Sequence, residues 1–262
     1  MLDFTGTGYV KLLARLKDGR AFPTFGELRG KPAPERFVLL RHDVDYSPAT
    51  ALALAELEAR EGVRSTYFFL MSSPYYNLLS AEHCRAPARI AALGHEIGLH
   101  YDVEALLAQV ENGDPTPALH REAELLGSIT GKKVVSIACH NPSLLKQNPL
   151  AGTPPYQDAY EPRLISEIPY YSDSARAWRD NAVQALTAEA LPPRLQLLIH
   201  PVLWTTNAPT RWEWLKAFFG ERVKALAADQ ERTRLIWVDH SGVREHDRRV
   251  GAQDRSNDPS KS

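Results

Sequence analysis

From residue 36 onward, short apolar runs alternate with stretches of helical periodicity. The run Phe37-Val38-Leu39-Leu40 reads as a buried strand over residues 36–40. It is followed by a helix over 47–60, which Ser47 caps, Pro48 opens in its first turn and Gly62 closes with a residue suited to a left-handed cap. Ser65-Thr66-Tyr67-Phe68-Phe69-Leu70 is rich in aromatic and β-branched side chains and predicts the second strand. A helix is expected over 80–93, a strand over 94–99, helical segments just past His100 and over 117–129, and a strand over 133–138.

The segment 140–160, rich in proline with several Asn and Gly, predicts a long functional loop. A weaker strand follows over 164–171, then a helix over 175–191, an apolar strand over 195–199, a helix over 211–228 and a last strand over 234–238. Seven strands separated by helices, each pair about the length of a βα unit, point to a parallel α/β barrel. The expected domain runs over residues 36–242, behind a cap of residues 1–35 that carries a helix over 9–16, and ahead of a polar, disordered tail over 243–262.

Charge and composition remove several classes of function. A formal net charge of -1, with no basic patch or run, gives no reason to expect a nucleic acid or an anionic membrane as partner. The N-terminus lacks a basic segment followed by an apolar one, and no run approaches membrane-spanning length, so a soluble, cytoplasmic protein is expected. Two cysteines, Cys84 and Cys139, are too far apart for a zinc knuckle and read as small buried hydrophobes.

Polar residues recur at or just past the ends of the expected strands: Asp43 and Asp45, His100, His140, Asp173 and His200. Strand alternation turns Asp43 and Asp45 to the same side, a pair suited to a base beside a metal ligand. The plainer alternative has them capping the next helix or pairing with Arg41, although Ser47 already supplies a cap. His100 and Glu104 are four apart, so a helix starting near His100 would put both on one face. With Asp45 they make a nitrogen and oxygen donor set suited to zinc, iron, manganese or cobalt, in which Asp102 could take the place of Glu104. His200 follows Leu195-Gln196-Leu197-Leu198-Ile199 and must find a partner or stand at a site, whereas His95 reads as structural.

These motifs, in this order, resemble the polysaccharide deacetylases of carbohydrate esterase family 4, the NodB homology domain, over most of residues 36–240. Arg41-His42-Asp43-Val44-Asp45 looks like the family's first motif with one residue inserted between the aspartates. Ser65 to Phe69 looks like its Ser/Ala-Thr-Phe-Phe strand. Gly94-His95-Glu96-Ile97-Gly98-Leu99-His100 is the most specific match and leads into the metal-binding motif. Ala138 to Pro142 sits where the family has Arg-x-Pro, Asp173 with Trp178 is similar to the fourth motif, and Leu197 to His200 to the fifth.

The resemblance implies a distorted (β/α)7 barrel, one divalent metal ion, by family zinc, and hydrolysis of an N- or O-acetyl group on a carbohydrate. It makes Asp43 the base, Asp45 and His100 metal ligands, and His200 the general acid, with Asp173 and His140 in the catalytic set. Two departures change the expectation. Glu104 stands where the family has a second histidine, and a second carboxylate favours Mn²⁺ or Fe²⁺ over zinc. His140 stands where an arginine would orient the base, and an imidazole lacks the planar fork. The expected activity is deacetylation of a surface-polysaccharide precursor, such as an O-antigen-type sugar. The alternatives are hydrolysis of a non-sugar amide on the same scaffold, or an inactive barrel that binds glycan or a partner.

Overall fold

The computed structural model describes residues 3–111, 113–174, 178, 182–205, 208, 210 and 212–231. Seven parallel strands form one sheet in the order β5-β4-β3-β2-β1-β7-β6: β1 (Phe37–Val44), β2 (Thr66–Leu70), β3 (Glu96–Tyr101), β4 (Ser136–Cys139), β5 (Gln157–Asp158), β6 (Tyr170–Ser172) and β7 (Arg194–Ile199). Parallel pairing requires crossovers, and the chain supplies them as α3 (Pro48–Arg60), α4 (Arg85–Ala92), α5 (Val103–Leu107), α6 (Thr116–Thr130), α7 (Pro162–Ile165) and α8 (Ala182–Thr187). Ahead of β1 lie α1 (Gly6–Leu16) and α2 (Phe25–Leu28). The helical stretch over residues 212–231 falls in a second compact unit of the chain, which starts at Ala208.

The result is a distorted (β/α)7 barrel with β5 and β6 as its two edges. Among the described residues no ladder joins these edges, and a ring contact beside them and a hydrogen bond from β7 to α7 span the gap. Tyr160 and Tyr170 meet with ring centres 6.5 Å apart, and the Gln196 amide donates to the carbonyl of Leu164 at 2.8 Å. One face of the sheet packs Val44, Tyr67, Phe69, Leu99 and Ile137 against Ala51, Ile90, Leu119 and Leu126 of the helices. The other face, the barrel interior, buries Phe37, Leu39, Phe68 and Ala138, and Phe25 and Leu28 of α2 pack against them. Each buried Phe, Leu, Ile or Val among these contributes about 1.5–3 kcal/mol. Gly98 is required inside the barrel, because a Cβ there would stand 2.5 Å from the Phe68 ring and 2.9 Å from Ser136 Oγ.

Most of the expected elements form, and α3 has its expected ends: the Ser47 hydroxyl accepts from the Thr50 amide, Pro48 is the first helical residue and Gly62 follows with φ +69°. Several boundaries differ; β3, for one, runs on through Tyr101 instead of ending at Leu99. The strand β1 runs four residues past Leu40, because each residue from Arg41 to Val44 has a parallel partner in β2. The expected strand over 164–171 begins as α7, with Pro162 at its first position, and only Tyr170–Ser172 pair with β7. Within the expected loop over 140–160, Gln157–Asp158 add β5 to the edge of β4. The expected strand over 234–238 and the tail from residue 243 lie outside the described residues.

Candidate active site

The central strand of the sheet carries the site. Alternation along β1 turns Arg41 and Asp43 into the barrel and His42 and Val44 to the helical layer. Two residues apart on one face, Arg41 and Asp43 make a bidentate pair, Nε to Oδ1 and Nη2 to Oδ2, both at 2.8 Å. Arg41 is fully buried; its guanidinium lies 4.4 Å from the centre of the Tyr160 ring and donates to that hydroxyl at 3.0 Å. Burial alone would raise the Asp43 carboxyl, but the Arg41 guanidinium, with His100 behind it, holds it well below the usual carboxylate range.

Asp45, just past the end of β1, faces three imidazoles. Its Oδ1 lies 3.3 Å from His100 Nε2 and 3.6 Å from His140 Nδ1, and its Oδ2 lies 3.7 Å from His200 Nε2. Register explains the convergence: His100, near the end of β3, pairs with Leu70 and Ala138, and His140 directly follows β4. The Nδ1 of His100 is 2.8 Å from the Ala138 carbonyl, which can only accept, so the proton sits on Nδ1 and the lone pair of Nε2 points into the cluster. Asn141 follows His140 in the left-handed conformation, φ 46°, and its side-chain amide lies 2.8 Å from His140 Nε2. That amide nitrogen can only donate, so His140 Nε2 accepts and the proton sits on Nδ1, 3.1 Å from the His100 Nε2 lone pair; ligation of a cation through Nδ1 would require the Asn141 amide to turn its oxygen to Nε2.

Among the described residues, Asp45, His100 and His140 are the group of possible ligands whose donor atoms lie within 4.8 Å of one another. They fit a divalent cation on two counts. Asp45 Oδ1 is buried and has no hydrogen-bond partner, a costly arrangement for a carboxylate oxygen that a cation would relieve. His100 carries the second-sphere backbone acceptor that ligating histidines usually have. Two neutral imidazoles and one carboxylate would leave a divalent ion a net positive charge, a set suited to zinc.

His200 completes the cluster from β7. Asp173, fully buried, accepts from the His200 backbone amide, from His200 Nδ1 at 2.6 Å and from the Trp204 indole at 2.7 Å. Three donors fix that carboxylate, and it in turn directs His200 Nε2 toward Asp45. Burial alone would lower the imidazolium, but Asp173, followed by Asp45 and Asp43, raises its pKa from 6.5 to about 9.

Asp43, Asp45, His100, His140, Asp173 and His200 are therefore brought together, and Glu104 is not. Because β3 continues through Tyr101, His100 is a strand residue and shares no helix face with Glu104, which is exposed on α5. Asp102 is spent as the cap of α5, accepting from the amides of Glu104 at 2.9 Å and Ala105 at 3.3 Å. His140 also changes place: it lies against Asp45 and His100, while Arg41 orients Asp43. Pairing with Arg41, the plainer alternative for Asp43, coexists with a site. Trp178 lies 5.8 Å from the Phe4 ring, and it is Trp204 whose indole reaches Asp173. Arg41 and Tyr160 are the additions; Arg41 has a usable signal, its two-residue spacing from Asp43 on a strand.

No family model matches the sequence, and no curated protein matches it. Seventeen chains of solved structure do match. The peptidoglycan deacetylase PdaC from Bacillus subtilis is 16% identical with a TM-score of 0.46, over 77% of this chain and 96% of that one. A family 4 carbohydrate esterase from Bacillus anthracis is 15% identical with a TM-score of 0.41, over 83% of this chain and 86% of that one. BA3943, a CE4 family pseudoenzyme from Bacillus anthracis, is 17% identical with a TM-score of 0.42, over 74% of this chain and 66% of that one. The chain is similar to carbohydrate esterase family 4 proteins, at a distance in sequence from each of these three.

Proposed function

We propose that this chain is a divalent-metal-dependent hydrolase that removes an acetyl group from a carbohydrate. One observation carries the reading: the unpartnered Asp45 Oδ1 faces two imidazole nitrogens, with the paired Asp43 and His200 beside it. Asp45, His100 and His140 would hold the ion. When bound, it supplies positive charge that polarises the acetyl carbonyl and acidifies water.

The remaining chemistry belongs to the protein. Asp43, held ionised and in one orientation by Arg41, takes a proton from the attacking water as its oxygen bonds to the acetyl carbon. His200, held by Asp173, gives its proton to the nitrogen or oxygen of the sugar as the bond to the acetyl carbon breaks. Water is consumed, and acetate and the free amine or hydroxyl leave. An imidazolium kept charged by a buried carboxylate is a competent donor near neutral pH.

Metal analysis combined with acetate release from acetylated sugars in Zn²⁺, Mn²⁺, Fe²⁺ or Co²⁺ tests the reading. Asp43→Asn should retain the ion and lose about 10²- to 10⁴-fold in turnover. Full turnover by that variant would remove Asp43 from the mechanism. Absence of acetate with every ion would leave a glycan-binding or partner-binding barrel.

A further inference from the structure

Arg15, Arg20 and Arg36 line one cleft of about 490 Å³, together with Asp18, Glu189 and Leu191. Arg36 directly precedes β1 and Leu191 lies just ahead of β7, so the cleft is at the end of the sheet where these parallel strands begin. Asp45 and His200 follow the opposite ends of the same two strands.

Local structure brings the three arginines together. Arg15 stands in the last turn of α1. Ala21 bridges Phe37 in parallel and its amide donates to the Arg36 carbonyl at 3.0 Å, which sets Arg20 beside Arg36. The Asp18 carbonyl then accepts from both, from Arg20 Nη1 at 2.9 Å and from Arg36 Nη2 at 3.3 Å, so two guanidiniums meet at one neutral oxygen. Arg20 donates further to the carbonyls of Leu191 and Pro192, and Arg15 Nε to that of Leu186 at 2.6 Å. Among the described residues no carboxylate forms an ion pair with any of the three.

A purely structural reading has these arginines tying α1 to the end of α8 and the approach to β7. It leaves two facts without a cause. Arg15 Nη2 is buried and has no hydrogen-bond partner, which is costly for a charged donor. Carbonyls also need donors and not three gathered charges: burial, then the charge of Arg36 with that of Arg15 behind it, lower Arg20 from its ordinary value, and Asp18 opposes them. An anion in the cleft would answer both.

We propose that this cleft binds a phosphate group, at a site separate from the candidate ion site. A tetrahedral phosphate presents oxygens in several directions and suits several guanidiniums at once, whereas a planar carboxylate matches a single fork. Asp18 and Glu189, both exposed, leave the lining one positive charge in excess, which favours a single phosphate group over a polyanion. A ligand held by Arg15 and Arg36 together would join α1 to the start of β1 and stabilise the fold by mass action.

The probe is inorganic phosphate, added to the full chain at low ionic strength, with binding read by calorimetry and by the shift in melting temperature. Phosphate should raise the melting temperature more than sodium chloride of equal ionic strength. Arg36→Gln should weaken binding about 10-fold, Arg15→Gln should weaken it as well, and Arg36→Lys, which keeps the charge, should recover part of the loss. Arg36 is exposed and its side chain makes one hydrogen bond, so its variants test binding without threatening the fold. Equal stabilisation by chloride and phosphate, or phosphate affinity unchanged in both Arg36→Gln and Arg15→Gln, overturns the site. Sedimentation with vesicles of equimolar phosphatidylcholine and phosphatidylglycerol separates the sources: binding that Arg36→Gln abolishes assigns the phosphate to a lipid headgroup, and phosphate binding without vesicle binding assigns it to a soluble ligand. None of these readouts involves acetate release, so this site and the deacetylase reading stand or fall separately.

Discussion

His42 and Asp43 are neighbours on β1 and face opposite sides of the sheet, each into a cluster of acids, histidines and hydroxyls. Behind the sheet, Glu58 of α3 accepts from His42 Nε2 at 2.7 Å, Ser65 Oγ at 2.6 Å and Tyr67 Oη at 2.9 Å, and from the hydroxyl of Tyr9. His95 adds its Nδ1 to Ser65 at 3.0 Å and its Nε2 to the Ala55 carbonyl at 3.0 Å. In front, Asp45 has an oxygen that nothing donates to. Glu58 is 0% exposed and Asp45 14%. The same residue types thus serve two ends. A carboxylate whose lone pairs are filled by four donors, from α1, β1 and the start of β2, holds those elements together, and a carboxylate left open beside imidazole nitrogens offers a cation its free oxygen.

Substitutions on the two faces should separate metal binding from stability. The largest expected effect is in front: Asp45→Ala should abolish metal binding and reduce turnover by more than about 10³-fold. Melting of the metal-free protein should hold or rise, because an uncompensated acceptor is removed. A large fall in metal-free stability would mean that Asp45 serves the fold in the way Glu58 does. Next comes the back: Glu58→Ala should cost about 3–5 kcal/mol in denaturant unfolding, by stranding His42 and three hydroxyls. Metal affinity in the folded fraction should stay near that of the parent protein.

Calorimetric metal titration sharpens the ligand assignment. Outer-sphere partners are worth about 10- to 100-fold in affinity, so His140→Ala should lose more than about 100-fold. Glu104→Ala should bind the ion unchanged, and the opposite ranking would return Glu104 to the site. The smallest effects are in pH. Burial alone would raise the Glu58 carboxyl, but its donors, His42 first among them, bring it from 4.5 down to about 2. Its stabilisation is fully present above pH 4.5 and is lost as pH falls through about 2, so Glu58→Gln should flatten acid unfolding in that window. His200 is raised, so its ion pair with Asp173 is complete below pH 6.5 and is lost as pH rises through about 9. The alkaline limb of kcat should fall between those values, because a cation on Asp45 cancels part of the raising charge.

How much could be read without coordinates depended on the range of the signal. Asp43, Asp45, His100 and His200 were legible because each ends an apolar run, and the ends of parallel strands share one rim of a barrel. Glu104 falls outside the site because of one boundary: a helix starting at His100 would give a one-face pair, and His100 inside β3 does not. β5 left no local trace, being two residues paired only through β4. His95 sits behind the sheet beside Ser65, in agreement with the structural role expected of it.

By itself, the order of residues determined the alternation of strands and helices, the caps of α3 and the rim positions of the acids and histidines. All of these follow from periodicity and spacing within a few residues. Only the tertiary structure decided which carboxylate is saturated and which is left open, and that His140 faces Asp45 while Arg41 holds Asp43. Those outcomes depend on hydrogen bonds and charges contributed from strands far apart in the chain, and no local pattern encodes which donors will reach a given oxygen.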